Sequence, residues 1–284
     1  MPVHSLKEGS FEIKRDTSTM DVFIVEPDSK QSAGGIGDPD TDSIAVIGSD
    51  TIASSKERLP CLIIVHEIFG VNEHIKDVAR RFARHGMKVF APDLFSSSPL
   101  WPQKEEEREN LDVMRKVWAS IPDSQLMADL DLVYAKIQTL PGCSSNVGVI
   151  GYCMGGAISF MFGCHEPRLS YVIDYYGRIR YGITLDTKPK DPVDYLVPLK
   201  APVLACFAGK DELITAEHIA YFSKRMEELG KSFQLKVYEN ASHAFFNDRR
   251  PNYNAEASED AWQRTLAFIK VHSKGVSSQS VKSN

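Results

Sequence analysis

The stretch NVGVIGYCMGGAISF, residues 146–160, determines how the rest of the chain is interpreted. An apolar, β-branched run leads directly into Gly151-Tyr152-Cys153-Met154-Gly155, and a helical pattern follows without a linker. This order predicts a buried strand, a sharp turn with Cys153 at its apex, and a helix. Small residues two positions before and after Cys153 suit such a turn, because the strand and helix backbones crowd together there.

The residue types in this turn also suggest chemistry. The pattern is G-x-S-x-G with Cys153 in the serine position, which is the pattern of a nucleophile elbow. A side chain at this apex projects at the helix N-terminus, whose partial positive charge favours a thiolate. The alternative for this stretch alone is a core cysteine in a strand-to-helix turn, since cysteine is often buried.

Outward from this stretch, strand and helix signals alternate, and the strand runs are short and almost uniformly apolar. This alternation predicts βαβ units and an α/β fold with a mostly parallel central sheet and helices on both faces. The predicted strands are Cys61–Val65, Lys88–Ala91, Asn146–Ile150, Tyr171–Tyr175, Pro202–Ala208 and Phe233–Tyr238. The predicted helices are Ile75–Arg84, Glu105–Ala119, Ser124–Thr139, Gly155–Gly163, Ala216–Leu229 and Ala255–Val271.

The flanking segments complete the domain organisation. Two alternating segments, Phe11–Arg15 and Asp21–Val25, predict an N-terminal hairpin. A tract rich in Gly, Ser and Asp at about residues 28–58 predicts a surface insertion, with a brief extended piece at Ile44–Ile47. We therefore expect one domain over residues 1–272 and a polar C-terminal tail over residues 273–284.

Two further polar residues follow predicted strands at positions where chemistry is expected. Asp211 lies three residues after the strand Pro202–Ala208, and His243 follows the strand Phe233–Tyr238 across a short loop. Each has a structural alternative, a turn aspartate and a surface histidine, and Glu212 is adjacent to Asp211. The order nucleophile, acid, histidine nevertheless matches that of an α/β-hydrolase, with each residue at a strand end.

Composition narrows the class of protein. The net charge is −5, so nucleic acid and anionic lipid are not expected as partners. No apolar run suits a signal peptide or a membrane span, so we expect no membrane association. The five cysteines are odd in number and form no C-x-x-C pair, which indicates reduced thiols and a cytoplasmic location. We expect a monomer or small homo-oligomer that acts on a small molecule and needs no cofactor.

Five stretches together resemble the dienelactone hydrolase family over roughly Leu59 to His272. They are VHEIFGVNEHIKDVARRFARHGMKVFAPDLF (65–95), GVIGYCMGGA (148–157), DYYG (174–177), GKDE (209–212) and ASHAFF (241–246). The resemblance implies the α/β-hydrolase fold and a Cys153–His243–Asp211 triad that cleaves a small ester or lactone through an acyl-enzyme.

The resemblance also gives roles to residues that triad logic would miss. In that family the glutamate matched by Glu67 lies near the nucleophile, shifts when substrate binds and helps to take the thiol proton. Elbow geometry places one oxyanion-hole N–H at Met154, and the resemblance places the other at Ile68. A structural alternative for Glu67 is binding to backbone amides at a strand end. No metal site is expected, because His66-Glu67 followed by His74 lacks the H-E-x-x-H spacing of zinc enzymes.

The family pattern breaks where substrate is held. Two arginines bind a substrate carboxylate in the dienelactone-cleaving members, and this chain has Leu111 and Asn247 at the matching positions. Without that pair we expect weak turnover of anionic dienelactone and better turnover of neutral esters. The remaining candidates for substrate binding are Tyr176, Trp118, Arg108, Arg115 and Arg249, with Arg250 also nearby.

Three functions remain open on the sequence. The first is a dienelactone hydrolase-like enzyme for small esters or lactones. The second is a broad carboxylesterase or thioesterase that uses the same residues on neutral substrates. The third, from a different class, is a non-catalytic hydrolase fold that serves as a binding protein. A decayed site would be expected to lose one of its reactive residues, and none is missing here.

Overall fold

The structure is a computed structural model that describes residues 5–28, 58–96 and 98–273. Nearly all of the predicted insertion, including Ile44–Ile47, lies outside the described residues, and so does all but the first residue of the predicted polar tail.

One eight-stranded sheet forms the centre of the described chain, with the strand order β1-β2-β4-β3-β5-β6-β7-β8. The strands are β1 (Leu6–Lys14), β2 (Thr19–Pro27), β3 (Leu59–Val65), β4 (Lys88–Pro92), β5 (Cys143–Tyr152), β6 (Tyr171–Tyr175), β7 (Val203–Ala208) and β8 (Phe233–Tyr238). The first two form the predicted N-terminal hairpin, and β2 pairs antiparallel with β4. The other neighbouring strands pair in parallel, which confirms the prediction of a mostly parallel sheet.

In the part of the chain that the structure describes, six α-helices connect and cover the strands. They are α1 (Glu73–Arg84), α2 (Leu111–Ser120), α3 (Asp123–Thr139), α4 (Met154–His165), α5 (Ala216–Glu228) and α6 (Ala255–His272). Five of them match the predicted helices to within about two residues at each end.

The predicted helix Glu105–Ala119 is wrong in its first part. A 3-10 helix over Glu105–Glu109 precedes α2, and the two are separated at Asn110. The Asn110 side chain accepts hydrogen bonds from the backbone N–H groups of Asp112 and Val113, so it caps α2 and starts a new helix. Asn110 therefore separates the 3-10 helix from α2, and the helical periodicity of the sequence did not reveal this break.

The parallel strands place the reactive residues at one edge of the sheet. Strands β6 and β7 are buried along their whole length, as the uniformly apolar runs predicted. Because parallel strands end at the same edge, residues that follow them are brought together there. Glu67 follows β3, Cys153 follows β5, Asp211 follows β7 and His243 follows β8.

Candidate active site

The turn between β5 and α4 has the strained geometry that the sequence predicted for Cys153. Its φ is +54° and its ψ is −120°, a conformation that residues other than glycine rarely adopt. A Cβ atom on Gly151 would lie 1.9 Å from the carbonyl oxygen of Gly155, and one on Gly155 would lie 2.3 Å from that of Val65. The two glycines therefore allow the strand and helix backbones to approach closely enough to form the turn.

Strained backbone is concentrated at this edge of the sheet. In the described chain, the non-glycine residues with positive φ are Cys153, Tyr176 and Ala244, which adjoins His243. Such conformations persist where the surrounding structure enforces them, and they cluster at functional sites. Here each one lies at a residue that forms or flanks the candidate site.

Cys153, His243 and Asp211 form a continuous chain of contacts. The His243 Nε2 atom lies 3.0 Å from the Cys153 sulfur, and its Nδ1 atom lies 2.7 Å from Asp211 Oδ2. The second oxygen of Asp211 accepts hydrogen bonds from the N–H groups of Leu213 and Ile214, which fixes the carboxylate. Glu212 is exposed, so the structure places Asp211 and not its neighbour against the histidine.

The surroundings of His243 strengthen it as a base. Burial lowers the pKa of His243, but the Coulombic effect of a deprotonated Cys153 sulfur and the hydrogen bond to Asp211 outweigh it, so that the pKa rises to about 11. An imidazole between a thiol and a carboxylate therefore holds a proton from the thiol readily. This arrangement can activate a sulfur nucleophile.

Glu67 is buried beside the same site, and Asn247 holds it there. The Asn247 side-chain amide donates a 2.7 Å hydrogen bond to Glu67 Oε2, and both residues are almost completely buried. The other carboxyl oxygen, Oε1, is buried without a hydrogen-bond partner among the described residues. Burial raises the pKa of Glu67, although Asn247 and the charge of His243 oppose that rise.

A cavity of about 620 Å³ opens onto Cys153, His243 and Glu67. Its wall is mainly apolar and includes Ile68 and Met154, the two residues expected to stabilise an oxyanion. Helix α4 begins at Met154, so the N–H group of Met154 has no acceptor within the helix. The cavity is large enough for a small ester or lactone with its carbonyl next to the sulfur.

The candidate substrate-binding residues divide into two groups. Trp118, Arg115 and Arg250 line the cavity, and Leu111 lines it where the family resemblance expects an arginine. Tyr176 is fully buried and is not among the described residues that line the cavity; it packs edge-on against His243, with ring centroids 5.4 Å apart.

Arg108 and Arg249 do not line this cavity in the described part of the chain. The Arg108 Nε atom donates to the Pro102 carbonyl, and its guanidinium lies over the Trp101 ring. The prediction that these two arginines bind substrate is therefore not supported by their positions. Arg108 and Arg249 were chosen because they are near Trp118 and His243 in sequence. Nearness in sequence does not determine whether a side chain in a loop lines the cavity.

The cavity-wall residues that sequence reasoning did not single out include Arg178 and Tyr181. Both lie in the loop that follows β6, directly after the DYYG stretch at 174–177. Their position after a parallel strand was the available signal, since side chains at that edge face the site. Ile183 and Leu185 of the same loop also line the cavity.

A buried histidine next to Glu67 links two loops at this edge. The His66 ring accepts a hydrogen bond at Nε2 from the Leu94 N–H, and its Nδ1 atom lies 2.6 Å from the Glu67 carbonyl oxygen. The ring also packs edge-on against Phe95 at 5.0 Å. His66 therefore joins the loop after β3 to the loop after β4.

The other four cysteines have different surroundings from Cys153. Cys153 is half-buried, and Cys61, Cys143, Cys164 and Cys206 are buried. Burial raises the pKa of Cys164 to about 12 and also raises that of Cys206. Of the five thiols, Cys153 is thus the one that a molecule in the cavity can reach.

The described residues contain neither a group of metal ligands nor a membrane-spanning helix. None of their His, Cys, Asp and Glu side chains form a group of three or more that could hold a metal ion. Among the same residues, 5–28, 58–96 and 98–273, no helix combines the length and apolarity that crossing a membrane requires.

Comparison with known proteins gives a consistent family assignment. The family model described as the dienelactone hydrolase family matches residues 49–273. A protein of Yersinia pestis with the provisional name carboxymethylenebutenolidase is 36% identical over 213 residues, covering 75% of this chain and 78% of that protein. One from Escherichia coli K12, with the same provisional name, is 34% identical over 217 residues, with 75% and 78% covered.

A solved structure agrees with the sequence matches. The crystal structure of a protein of Klebsiella pneumoniae provisionally described as a dienelactone hydrolase superposes with a TM-score of 0.78 at 28% identity, and covers 94% of this chain and 99% of that one. The eight-stranded, mostly parallel sheet is accordingly an α/β-hydrolase fold. By sequence and by fold, this chain belongs to the dienelactone hydrolase family.

Proposed function

We propose that the protein hydrolyses small carboxylic esters or lactones with Cys153 as the nucleophile and His243 and Asp211 as its activating pair. Membership of the dienelactone hydrolase family supports an ester- or lactone-cleaving hydrolase. The observation that carries the finer proposal is the chain of contacts from the Cys153 sulfur through His243 to Asp211, at 3.0 and 2.7 Å. This chain opens onto a cavity of suitable size.

The proposed reaction has two stages. In the first, the Cys153 proton passes to His243 while the sulfur attacks the carbonyl carbon, and the N–H groups of Ile68 and Met154 stabilise the oxyanion. The C–O bond then breaks, the leaving alkoxide takes the proton from His243, and a thioester remains. In the second stage water attacks the thioester, with His243 as its base, and releases the acid and the free thiol. A lactone yields a hydroxy acid by the same steps.

Glu67 is proposed to assist the first proton transfer. Its burial and its raised pKa make its carboxylate a better proton acceptor than an exposed glutamate. Because Asn247 holds Oε2 by an uncharged amide, Glu67 can move towards Cys153 without breaking an ion pair.

Two alternatives use the same geometry differently. A broad carboxylesterase or thioesterase would bind neutral substrates in the mainly apolar cavity, and the wall residues Leu111, Ile183 and Leu213 favour this alternative. A non-catalytic binding protein would not need the ordered contact between Cys153 and His243. The cytoplasmic location and the monomeric or small homo-oligomeric state stay predictions from the sequence.

The first test replaces the nucleophile. We expect Cys153→Ala to reduce hydrolysis of 4-nitrophenyl acetate and butyrate to the background rate, because no other thiol faces the cavity. As matched controls, Cys61, Cys143, Cys164 and Cys206 are each replaced by serine, and each variant should keep most of its activity. A comparable loss at a second cysteine, with the fold intact, would contradict the assignment of the nucleophile.

Labelling separates an enzyme from an inert fold. Iodoacetamide at neutral pH should alkylate Cys153 first, and 4-nitrophenyl butyrate should slow that alkylation. Peptide mapping by mass spectrometry identifies the labelled residue. If the native protein shows no preferential labelling and no esterase activity, the non-catalytic alternative is correct.

A further inference from the structure

Three large aliphatic side chains lie where the cavity meets solvent. Leu111 on α2, Ile183 in the loop after β6 and Leu213 in the loop after β7 all line the cavity, yet they are 40%, 48% and 39% exposed. We call these three residues the apolar rim. Exposed apolar surface is unfavourable in water, and the free energy gained by covering it grows with its area. An apolar group of a substrate that reaches the rim is therefore stabilised there.

Three polar side chains of the same wall do not offer their donor atoms to the cavity. The indole nitrogen of Trp118, the hydroxyl of Tyr181 and the Nε atom of Arg178 are all shielded from solvent. An atom that water cannot reach is also out of reach of a ligand in the cavity. Trp118 and Tyr181 therefore present the carbon atoms of their rings, which suit an apolar group.

Two further arginines of the wall are balanced by carboxylates of the protein itself. The Arg115 Nη1 atom lies 3.2 Å from Asp112 Oδ1, and the Arg250 Nη2 atom lies 2.7 Å from Glu109 Oε2. The side chains of Asp112 and Glu109 are exposed, so both ion pairs lie at the protein surface. Neither arginine needs an anion from a substrate to balance its charge.

Apolar residues also line the cavity beside the candidate nucleophile. Met154 and Ala157, on the first turn of α4, line it next to Cys153, and Ile68 lines it after β3. The volume of about 620 Å³ lies within the range of cavities that enclose drug-sized ligands, so it exceeds what an acetyl group fills. A longer acyl group on Cys153 can therefore extend through the cavity towards the rim.

A buried ion pair fixes two of the elements that carry the rim. Lys188, in the loop after β6, is fully buried, pairs with Asp123 at 2.9 Å and donates to the Ile121 carbonyl. Its Nζ atom lies 5.2 Å from the centre of the Trp118 ring on α2, and the Asp123 N–H donates to the Thr187 carbonyl at 2.9 Å. Because α2 and this loop are held together without a ligand, binding of a substrate does not have to order them.

We propose that the cavity selects neutral esters with an unbranched apolar acyl chain of about four to eight carbon atoms, whose distal end is covered by Leu111, Ile183 and Leu213. The proposal rests on the hydrolase function proposed above and identifies the acyl group of its substrate. It goes beyond the expectation that neutral esters are favoured, which followed from the absence of two arginines. The rim adds a preference that increases with the length of the chain.

A homologous series of substrates measures this preference. The acetate, butyrate and hexanoate esters of 4-nitrophenol share one leaving group and differ only in the acyl chain. We expect kcat/KM to rise about two- to fourfold for each added methylene group, mainly through KM. Values of kcat/KM that stay equal or fall from acetate to hexanoate would overturn the proposal.

Substitutions in the rim locate the origin of the preference. Leu213→Asn replaces the apolar end of the side chain by an amide of similar size, so the ratio of hexanoate to acetate kcat/KM should fall about three- to tenfold. Leu111→Asn and Ile183→Asn should lower the same ratio. If none of the three variants lowers it, the rim does not bind the acyl chain.

The matched control is Leu132→Asn. Leu132 lies on α3 and is 39% exposed, as Leu213 is, but it does not line the cavity in the described part of the chain. Its substitution should leave the ratio of hexanoate to acetate unchanged. A fall as large as that of Leu213→Asn would show that the ratio does not report on the rim.

A charge at the end of the chain tests the apolar character of the rim. Mono(4-nitrophenyl) adipate has the same six-carbon acyl chain as the hexanoate, with a carboxylate at its distal end. We expect the unmodified protein to favour the hexanoate in kcat/KM by about tenfold or more, because the carboxylate loses hydration against the rim. An equal or greater kcat/KM for the adipate would overturn the proposal.

A binding measurement separates failure of the rim from failure of the catalytic proposal. Methyl ketones resemble the esters and are not hydrolysed, so 2-butanone and 2-octanone are titrated into the Cys153→Ala protein by calorimetry. The longer ketone should bind at least about tenfold more tightly, and Leu213→Asn in the same protein should weaken it about three- to tenfold. If this holds but the unmodified protein cleaves no ester, the proposed function fails and the apolar site stands. If the two ketones bind equally, the apolar site fails.

Discussion

At the scale of single residues, the hydrogen-bond partners of the carboxylate oxygens distinguish Asp211 from its neighbour Glu212. Both are acidic and both follow β7, so the sequence left them hard to distinguish. Asp211 is buried and uses one oxygen for His243 and the other for two backbone N–H groups, whereas Glu212 is exposed. The acid that orients the histidine is thus the one whose second oxygen is fixed by the backbone.

Substitution of these two acids tests that distinction. We expect Asp211→Asn to lower kcat for 4-nitrophenyl butyrate by at least about a hundredfold, because an amide in place of Oδ2 can donate a proton towards His243 and favours the wrong ring form. The remaining oxygen still accepts from Leu213 and Ile214, so the fold should be kept. Glu212→Gln should change kcat by less than about twofold. Steady-state kinetics with circular dichroism decides the matter, and a reversal of the two effects would show that the acid is Glu212.

Individual residues also show which features of the site could be inferred from the sequence and which could not. Cys153, Asp211 and His243 were found because each follows an apolar strand in a recognisable order. The contact between Glu67 and Asn247 joins residues 180 positions apart, and no local pattern records it. Arg178 was passed over because the direction of a side chain in a loop depends on tertiary contacts, such as those of Gly177 and Tyr181, that spacing does not show.

At the scale of secondary-structure elements, α4 packs closely against β3 at the site. The first turn of α4 begins at the elbow, and Gly155 lies against the end of β3 at Val65 and His66. The sequence predicted these elements closely because a buried strand, a tight turn and a helix each have a strong local pattern. It failed at Glu105–Ala119, where one capping asparagine interrupts a continuous helical pattern.

The substitution Gly155→Ala tests whether the close packing of α4 against β3 positions Cys153. In Gly155→Ala the new Cβ would lie 2.3 Å from the Val65 carbonyl oxygen, so the helix must shift and move Cys153 away from His243. We expect a loss of about 2 kcal/mol or more in the free energy of unfolding, measured with urea, and a fall in kcat of tenfold or more.

The matched control is Gly9→Ala in β1, where an added Cβ meets nothing within 4 Å. Its unfolding free energy should stay within about 0.5 kcal/mol of the unmodified protein. If Gly155→Ala is as stable and as active as Gly9→Ala, close backbone contact does not position the nucleophile.

At the scale of the whole molecule, one buried carboxyl group links stability to pH. Asp174 on β6 is fully buried and accepts a hydrogen bond from the Gly177 N–H. Burial raises its pKa to about 7, although the Gly177 bond opposes the rise. The folded protein therefore binds this proton more tightly than the unfolded chain, whose aspartates titrate near pH 4. Stability from this group is complete below about pH 4 and is lost as the pH rises through about 7.

An isosteric substitution should remove that dependence. We expect Asp174→Asn to raise the melting temperature relative to the unmodified protein more at pH 8 than at pH 5, with a difference in stability on the order of a few kcal/mol. Differential scanning calorimetry at both pH values measures it. Asp186→Asn is the control, because Asp186 is exposed, and its effect should not depend on pH. A difference between the two variants that is the same at pH 5 and pH 8 would contradict the raised pKa.

The fold as a whole was predicted better than the substrate. Alternating apolar runs and helical segments were sufficient to predict a mostly parallel sheet, because the central strands such as β6 and β7 are buried and each crossover is local. The alternation of strands and helices did not indicate which charged groups of the cavity wall have a carboxylate partner, as Arg115 and Arg250 do. Pairing of that kind is a property of the assembled molecule, so it could be seen only in the structure.

The link that His66 makes between two loops depends on the position of a single hydrogen atom. Because the Leu94 N–H can only donate, Nε2 must be unprotonated, and the neutral ring carries its hydrogen on Nδ1 towards the Glu67 carbonyl. Burial lowers the pKa of His66 and so keeps the ring neutral. In acid, a hydrogen on Nε2 would face the Leu94 N–H, and Asp93, 3.9 Å away, is too distant to accept it. Protonation of His66 would therefore place its Nε2–H against the Leu94 N–H, two donors without an acceptor between them. This happens beside Phe95, where the loops after β3 and β4 meet.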